Sequence, residues 1–198
     1  MKFETPEGAT PLTLDELHEL IPPFITTQAE LNGIEQMHIA KALSWLNREN
    51  LSYSQILDES FIRNLHIQMY GKIWKWAGKY RKSDKNIGVE WIKIPILLRQ
   101  LLEDTRYQIE HQSYSLQEIA GRFHHKLVWI HLFPNGNGRH ARVLSDYLLK
   151  QLGENTFTWG GKTFQEYRSS CEIRKQYISA LRQADQGNYE PLLTFVKS

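Results

Sequence analysis
A chain of 198 residues, 41% hydrophobic and 23% charged, has the composition of one soluble globular domain with a sizeable core, or one domain plus a short extension. Lys and Arg number 24 against 22 Asp and Glu, a net charge of +2 that is too mild to predict nucleic-acid binding. The single Cys171 excludes an internal disulfide framework, no apolar run approaches the roughly 18 residues of a membrane span, and Met1 to Pro6 lack the apolar region of a signal peptide, so the expected location is cytoplasmic.

Residues 1–24 hold Pro6, Gly8, Pro11, Pro22 and Pro23, and read as an N-terminal arm with one short helix near Leu14 to Leu20. Residues 25–198 read as one domain. A helix is expected over 26–46, with Ile39, Leu43 and Leu46 on one face. Phe61, Leu65, Met69 and Ile73 form a row at i, i+4 and predict a helix from about 54 to 76, ended by Ala77-Gly78-Lys79. Residues 80–94 change character: Ile87, Val89, Trp91, Ile92 and Ile94 around Gly88 and Glu90 predict a small β-hairpin. Lys79, Arg81, Lys82 and Lys85 read as its solvated face.

Pro95 opens a helix containing Leu98, Leu101, Leu102 and Ile109, and Ser115 to Glu118 form a capping box for a helix ending at His131. The next helix carries Ala141, Leu144 and Leu148 inward to about Leu152. Thr163 to Glu166 form another capping box, opening a helix to about Ala184 with Cys171 inside it, and a last short helix holds Pro191 in its first turn. The fold class is therefore mainly α with one small β-hairpin.

Residues 131–142 read His-Leu-Phe-Pro-Asn-Gly-Asn-Gly-Arg-His-Ala-Arg. Asn135-Gly136-Asn137-Gly138 supplies positive-φ positions, and successive N–H groups in such a turn form an anion nest. A helix starting at the second Gly adds its positive N-terminal end. Arg139 and Arg142, at i and i+3, then share one helix face and fork onto phosphate oxygens. His131 stands at the other lip of the turn. A base beside a phosphate cradle points to phosphoryl or nucleotidyl transfer.

This stretch resembles the signature of the Fic (Fic/Doc) family, His-x-Phe-x-(acid)-Gly-Asn-Gly-Arg-x-x-Arg. His131, Phe133, Gly136, Asn137, Gly138, Arg139 and Arg142 all match. The resemblance extends to Phe123–Ile130 before the motif, and to Tyr177–Leu181 and Asp185–Leu192 after it. The opening segment resembles the subgroup called mobile mystery protein B.

The resemblance implies a Fic-type helical domain that is a protein adenylyltransferase. It would move AMP from ATP-Mg²⁺ (or ATP-Mn²⁺) to a Ser, Thr or Tyr hydroxyl of a target docking at the 80–94 flap. His131 would take the hydroxyl proton and Phe133 would anchor the loop. Gly136, Asn137 and Gly138 would hold the α- and β-phosphates, Arg139 would contact the phosphates, Arg142 would reach the γ-phosphate, and Tyr177 would pack near ribose and base. Asn135 stands where such enzymes carry a metal-holding acid, which leaves a weak neutral ligand. Phosphate transfer, removal of AMP, and a catalytically weak nucleotide-binding module are the alternatives.

Thr26 and Glu30 resemble the family's inhibitory motif, which implies that Glu30 restrains the enzyme in cis by reaching Arg142. Thr27 to Glu30 is also a capping box, so Glu30 has a competing local role. The subgroup implies an antitoxin-like or regulatory companion. His124 and His131 lie two helical turns apart, too far to share one ion, so no zinc site is expected.

Overall fold
The computed structural model describes residues 10–161 and 171–198. The helix-opening box at Thr163 and the burial of Cys171 lie outside what is described. Among the described residues no helix is long and apolar enough to cross a membrane.

The described elements are helical: α1 (Leu14–His18), α2 (Gln28–Leu46), α3 (Tyr53–Ile56), α4 (Glu59–Tyr70), α5 (Ile94–Glu110), α6 (Leu116–Ile130), α7 (Asn137–Gln151), α8 (Cys171–Asp185) and α9 (Glu190–Lys197). The helix expected over 54–76 is in fact broken. Asp58 accepts from the Ser60 N–H and caps a fresh start, so α3 and α4 are separate. Gly71 then closes α4, and Ile73, Trp74 and Trp76 enter the core from turns.

On α2 the buried face is Leu31, Glu35, Ile39, Ala42 and Leu46; Leu43, expected inward, is 37% exposed. The row at i+4 and i+3 therefore carries one charged residue, Glu35. A second difference concerns the expected hairpin. Among the described residues, 80–90 pair in no strand; they form bends, followed by a 3-10 turn at Trp91–Lys93 that leads into α5. The reason is Arg81. Its side chain takes the carbonyls of Ser83, Val89 and Ile130, so the segment is organised around a guanidinium rather than a ladder.

Helices α6 and α7 form the central hairpin. Phe123, Leu127, Ile130, Ala141, Leu144 and Leu148 are buried in the main core with α4 residues Ile62, Leu65 and Met69. A smaller cluster joins Tyr177, Ala180 and Ala184 of α8 to Leu192 and Val196 of α9. The chain before α2 is fastened to the core. Ile21 donates to the Ile73 carbonyl at 2.8 Å, Lys75 donates to that of Glu19 at 3.0 Å, and Leu20 and Trp74 form an antiparallel bridge.

Candidate active site
The site is the turn between α6 and α7. His131 ends α6 in the left-handed region, at φ 57. This conformation strains a residue with a Cβ and turns its carbonyl out of the helix. Arg81 Nε donates to that carbonyl at 2.7 Å, and Nη2 reaches the Ile130 carbonyl at 3.4 Å. The guanidinium thus serves the unpaired carbonyls of a helix C-terminus. Its side chain is fully buried, which corrects the reading of Arg81 as part of a solvated face. Lys85 is also enclosed, paired with Glu16 at 2.5 Å.

After His131 the chain is pinned by side chains. Asn137 Oδ1 accepts from the Phe133 N–H at 2.9 Å, and Asn137 Nδ2 donates to the Phe133 carbonyl at 2.7 Å. Phe133 is fully buried and stacks on the His66 ring at 3.8 Å between centroids. The Gly78 N–H donates to His66 Nδ1 at 3.0 Å, so the proton sits on Nε2, which donates to the Asn135 carbonyl at 3.1 Å. Burial holds the His66 pKa well below the usual 6.5. His66 therefore acts as a neutral brace for the turn.

Gly136 has φ 79 and sits directly against the Tyr70 ring, where a Cβ would come within 2.7 Å. It occupies the cap position of α7, and among the described residues no side chain caps that helix. The N–H groups of Asn137, Gly138 and Arg139 fall in the first turn, where no intrahelical partner exists. They converge with the helix dipole on an anion-binding position.

The two arginines are engaged by different walls. Arg139 Nη1 pairs with Glu35 Oε2 at 2.6 Å, and its guanidinium lies 5.3 Å from the Tyr70 ring centroid. The other Glu35 oxygen accepts from Trp74 Nε1 at 3.2 Å. Arg142 lies 4.3 Å from the Tyr177 ring centroid and 5.4 Å from that of Trp159. Tyr177 shares a hydrogen bond of 2.8 Å with His124 Nε2. Trp159 is held by Asp146, whose carboxyl is pushed up to about 6 by burial. The shared face expected from the i, i+3 spacing thus gives one arginine to α2 and one to α8.

His131 is 5% exposed. Burial lowers its pKa from 6.5 to about 4, with the charges of Arg81 and Lys85 acting in the same direction, so the imidazole is neutral near pH 7. Its Nε2 lies 3.2 Å from Thr10 Oγ1. A neutral imidazole with a hydroxyl at Nε2 has the geometry of a general base.

Glu30 is not at this site. Its carboxylate accepts from the Thr26 and Thr27 N–H groups at 2.8 and 2.9 Å and from the Thr26 hydroxyl at 3.1 Å, capping α2. In this structure the cap role occupies the Glu30 carboxylate, away from the Arg142 contact expected of a restraint, and Glu35 of the same helix reaches the motif arginine Arg139. Asn135 is also occupied. Its Oδ1 accepts from the Gly136 N–H at 2.7 Å and its Nδ2 donates to the Thr10 carbonyl at 3.2 Å. Among the described residues no group of three His, Cys, Asp or Glu side chains is placed to hold a metal ion. The donor set at the turn does not fit a metal held by protein ligands alone.

Thr10, Glu35, His66, Tyr70 and Arg81 were missed by sequence reasoning. Glu35 had a signal, since a carboxylate on the apolar row of α2 requires a buried partner. His66 likewise lies on the buried face of α4. Thr10 and Arg81 carry no periodicity that could have found them.

The family model described as Fic/DOC family matches residues 56–149. The chain is 26% identical over 166 residues to a protein adenylyltransferase Fic of Nematostella vectensis, covering 82% of this chain and 36% of that protein. It thus spans about a third of that relative's length. Among solved structures, the N-terminal Fic domain of a Bartonella effector protein from Bartonella sp. AR 15-3 aligns with a TM-score of 0.71 at 17% identity, covering 93% of this chain and 91% of that one. BepC of Bartonella tribocorum, solved with bound AMPPNP, aligns at 0.65 and 19% identity, covering 93% and 97%. The motif, the helical fold and the matched model agree: residues 56–149 form a region that matches the Fic/DOC family.

Proposed function
We propose that the chain is a protein adenylyltransferase that moves AMP from ATP to a Ser, Thr or Tyr hydroxyl of a target protein. The observation that carries this reading is the neutral His131 imidazole with a hydroxyl at Nε2, beside the uncapped N-terminus of α7. The Nematostella vectensis relative is named for this activity, and the BepC structure holds an ATP analogue.

In this account ATP lies with its phosphates on the first turn of α7. The N–H groups of Asn137, Gly138 and Arg139 receive the α- and β-phosphates, and Gly136 lets the backbone approach them. His131 accepts the proton of the attacking hydroxyl as oxygen bonds to the α-phosphorus and pyrophosphate departs. Arg142, held between Tyr177 and Trp159, meets the outer phosphate. Any divalent ion arrives on the nucleotide, because Asn135 brings no charge. The apolar side chains of Ile87, Trp91 and Ile92, each more than 40% exposed, give the target a docking surface beside His131.

Arg139 is paired with Glu35, so it must exchange a carboxylate for phosphate oxygens when ATP binds. Glu35, rather than Glu30, is the proposed restraint. The neutral Asn135 supports a second reading, transfer of the γ-phosphate instead of AMP. Incubation with ATP labelled at the α-phosphate in host lysate tests the main proposal. Labelled protein is expected with the wild type and is lost with His131→Ala; equal labelling by both would remove His131 from the chemistry.

A further inference from the structure
We propose that Asp146 is a positioning residue for the nucleotide: acting through Trp159, it seats Arg142 for the outer phosphate and so makes the site prefer a nucleoside triphosphate to a diphosphate. This inference rests on the proposed reading in which Arg142 meets the outer phosphate of ATP.

Asp146 follows Arg142 by one helical turn on α7 and lies outside residues 131–142. Both of its oxygens are engaged by the segment after α7. Oδ1 accepts from the Phe157 N–H at 3.1 Å, and Oδ2 accepts from Trp159 Nε1 at 2.9 Å. Trp159 requires such a hold. Its backbone lies in the left-handed region at φ 56, which a bulky residue enters only where its surroundings impose it. The Thr158 and Trp159 N–H groups donate to the Val196 carbonyl at 2.9 and 3.2 Å and fix the backbone. Asp146 fixes the ring.

That ring is one wall of a box around Arg142. The Arg142 guanidinium lies 5.4 Å from the Trp159 ring centroid and 4.3 Å from that of Tyr177, both within cation–π range. His124 joins the two walls: its ring centroid is 4.6 Å from that of Trp159, and its Nε2 shares a hydrogen bond of 2.8 Å with the Tyr177 hydroxyl. A long, flexible side chain seated this way has less freedom left to lose when it meets a phosphate. ADP has no γ-phosphate, so the benefit of the seat falls on ATP alone.

Asp146 also carries charge. Burial pushes its carboxyl up to about 6, so it is ionised at pH 8. A negative charge beside Arg142 opposes an incoming phosphate, whereas a held Trp159 favours it. The two effects differ in sign, and substitution separates them.

The test is isothermal titration of the full chain at pH 8 with ATP and, separately, ADP, each with Mg²⁺. The wild type is expected to bind ATP more tightly than ADP. Trp159→Phe keeps a ring and both charges but has no N–H for Asp146; Asp146→Asn leaves one of the two N–H groups without an acceptor. Each should lose about tenfold in ATP affinity while ADP affinity stays within about twofold, which also shows that the variant is folded at the site. Tighter ATP binding by Asp146→Asn with no change in Trp159→Phe would mean that the carboxylate acts by charge alone and would overturn the inference. Equal losses for ATP and ADP would reduce Asp146 to a structural role and overturn it too, as would a wild type with no preference for ATP; both leave the adenylyltransferase reading standing. A wild type that binds neither nucleotide would overturn both.

Discussion

Glu35 holds the guanidinium of Arg139 at 2.6 Å, joining the buried face of α2 to the first turn of α7. The same carboxylate accepts from Trp74, so it fastens three elements at once. A phosphate approaching α7 competes with it directly. Glu35→Gln keeps an acceptor for Trp74 and removes the charge that holds Arg139. ATP affinity is expected to rise roughly tenfold, about 1.4 kcal/mol, with AMP transfer rising alongside. Isothermal titration with ATP checks this; unchanged or weaker binding would remove Glu35 from any restraining role.

Gly136 and Gly153 both have φ 79, but only Gly136 has a wall against it. Gly153→Ala should lose only the strain of a left-handed residue, about 1–2 kcal/mol. Gly136→Ala adds a clash with the Tyr70 ring and should fall further in melting temperature and lose ATP binding. Equal thermal shifts in the two variants would show that the Tyr70 contact does not constrain the turn.

Arg81 carries carbonyl partners from three parts of the chain. Arg81→Met leaves them unpaired and should lower stability by about 3 kcal/mol or more. Transfer should fall even in molecules that remain folded, because nothing then holds the His131 backbone in its left-handed conformation. Urea unfolding together with activity at low temperature checks both parts. A variant as stable and active as the wild type would contradict the role given to Arg81.

Burial lowers the pKa values of His66, His124, His131 and His140 from 6.5, those of His131 and His140 to about 4. Between these values the unfolded chain binds protons that the folded chain refuses. Stability is therefore fully present above pH 6.5 and is lost as pH falls toward 4, by up to about 1.4 kcal/mol per pH unit for each histidine. The urea midpoint should drop between pH 7 and pH 5, and His140→Asn should make the drop shallower. A midpoint that rises on acidification would show that these rings are charged in the folded state.

Much of this was legible in the chain. Seven fixed positions in residues 131–142 announced the turn, and the apolar rows of α4, α6 and α7 announced the hairpin that presents it. What stayed hidden was long-range. Glu30 sits in a motif and Glu35 does not, yet the helix cap claims the first and Arg139 the second. The 80–94 segment has the composition of strands, but a ladder needs a partner, and Arg81 gathers the carbonyls instead. Thr10 meets His131 across 121 positions of sequence, which no local pattern encodes.

The central claim is that a neutral His131 beside the α7 N-terminus directs attack on the α-phosphorus. The most direct measurement incubates the chain and a host lysate with ATP labelled at the α-phosphate or, in parallel, at the γ-phosphate. The account predicts covalent α-label that disappears in His131→Ala, and no γ-label. Covalent γ-label, or α-label that survives His131→Ala, would contradict it.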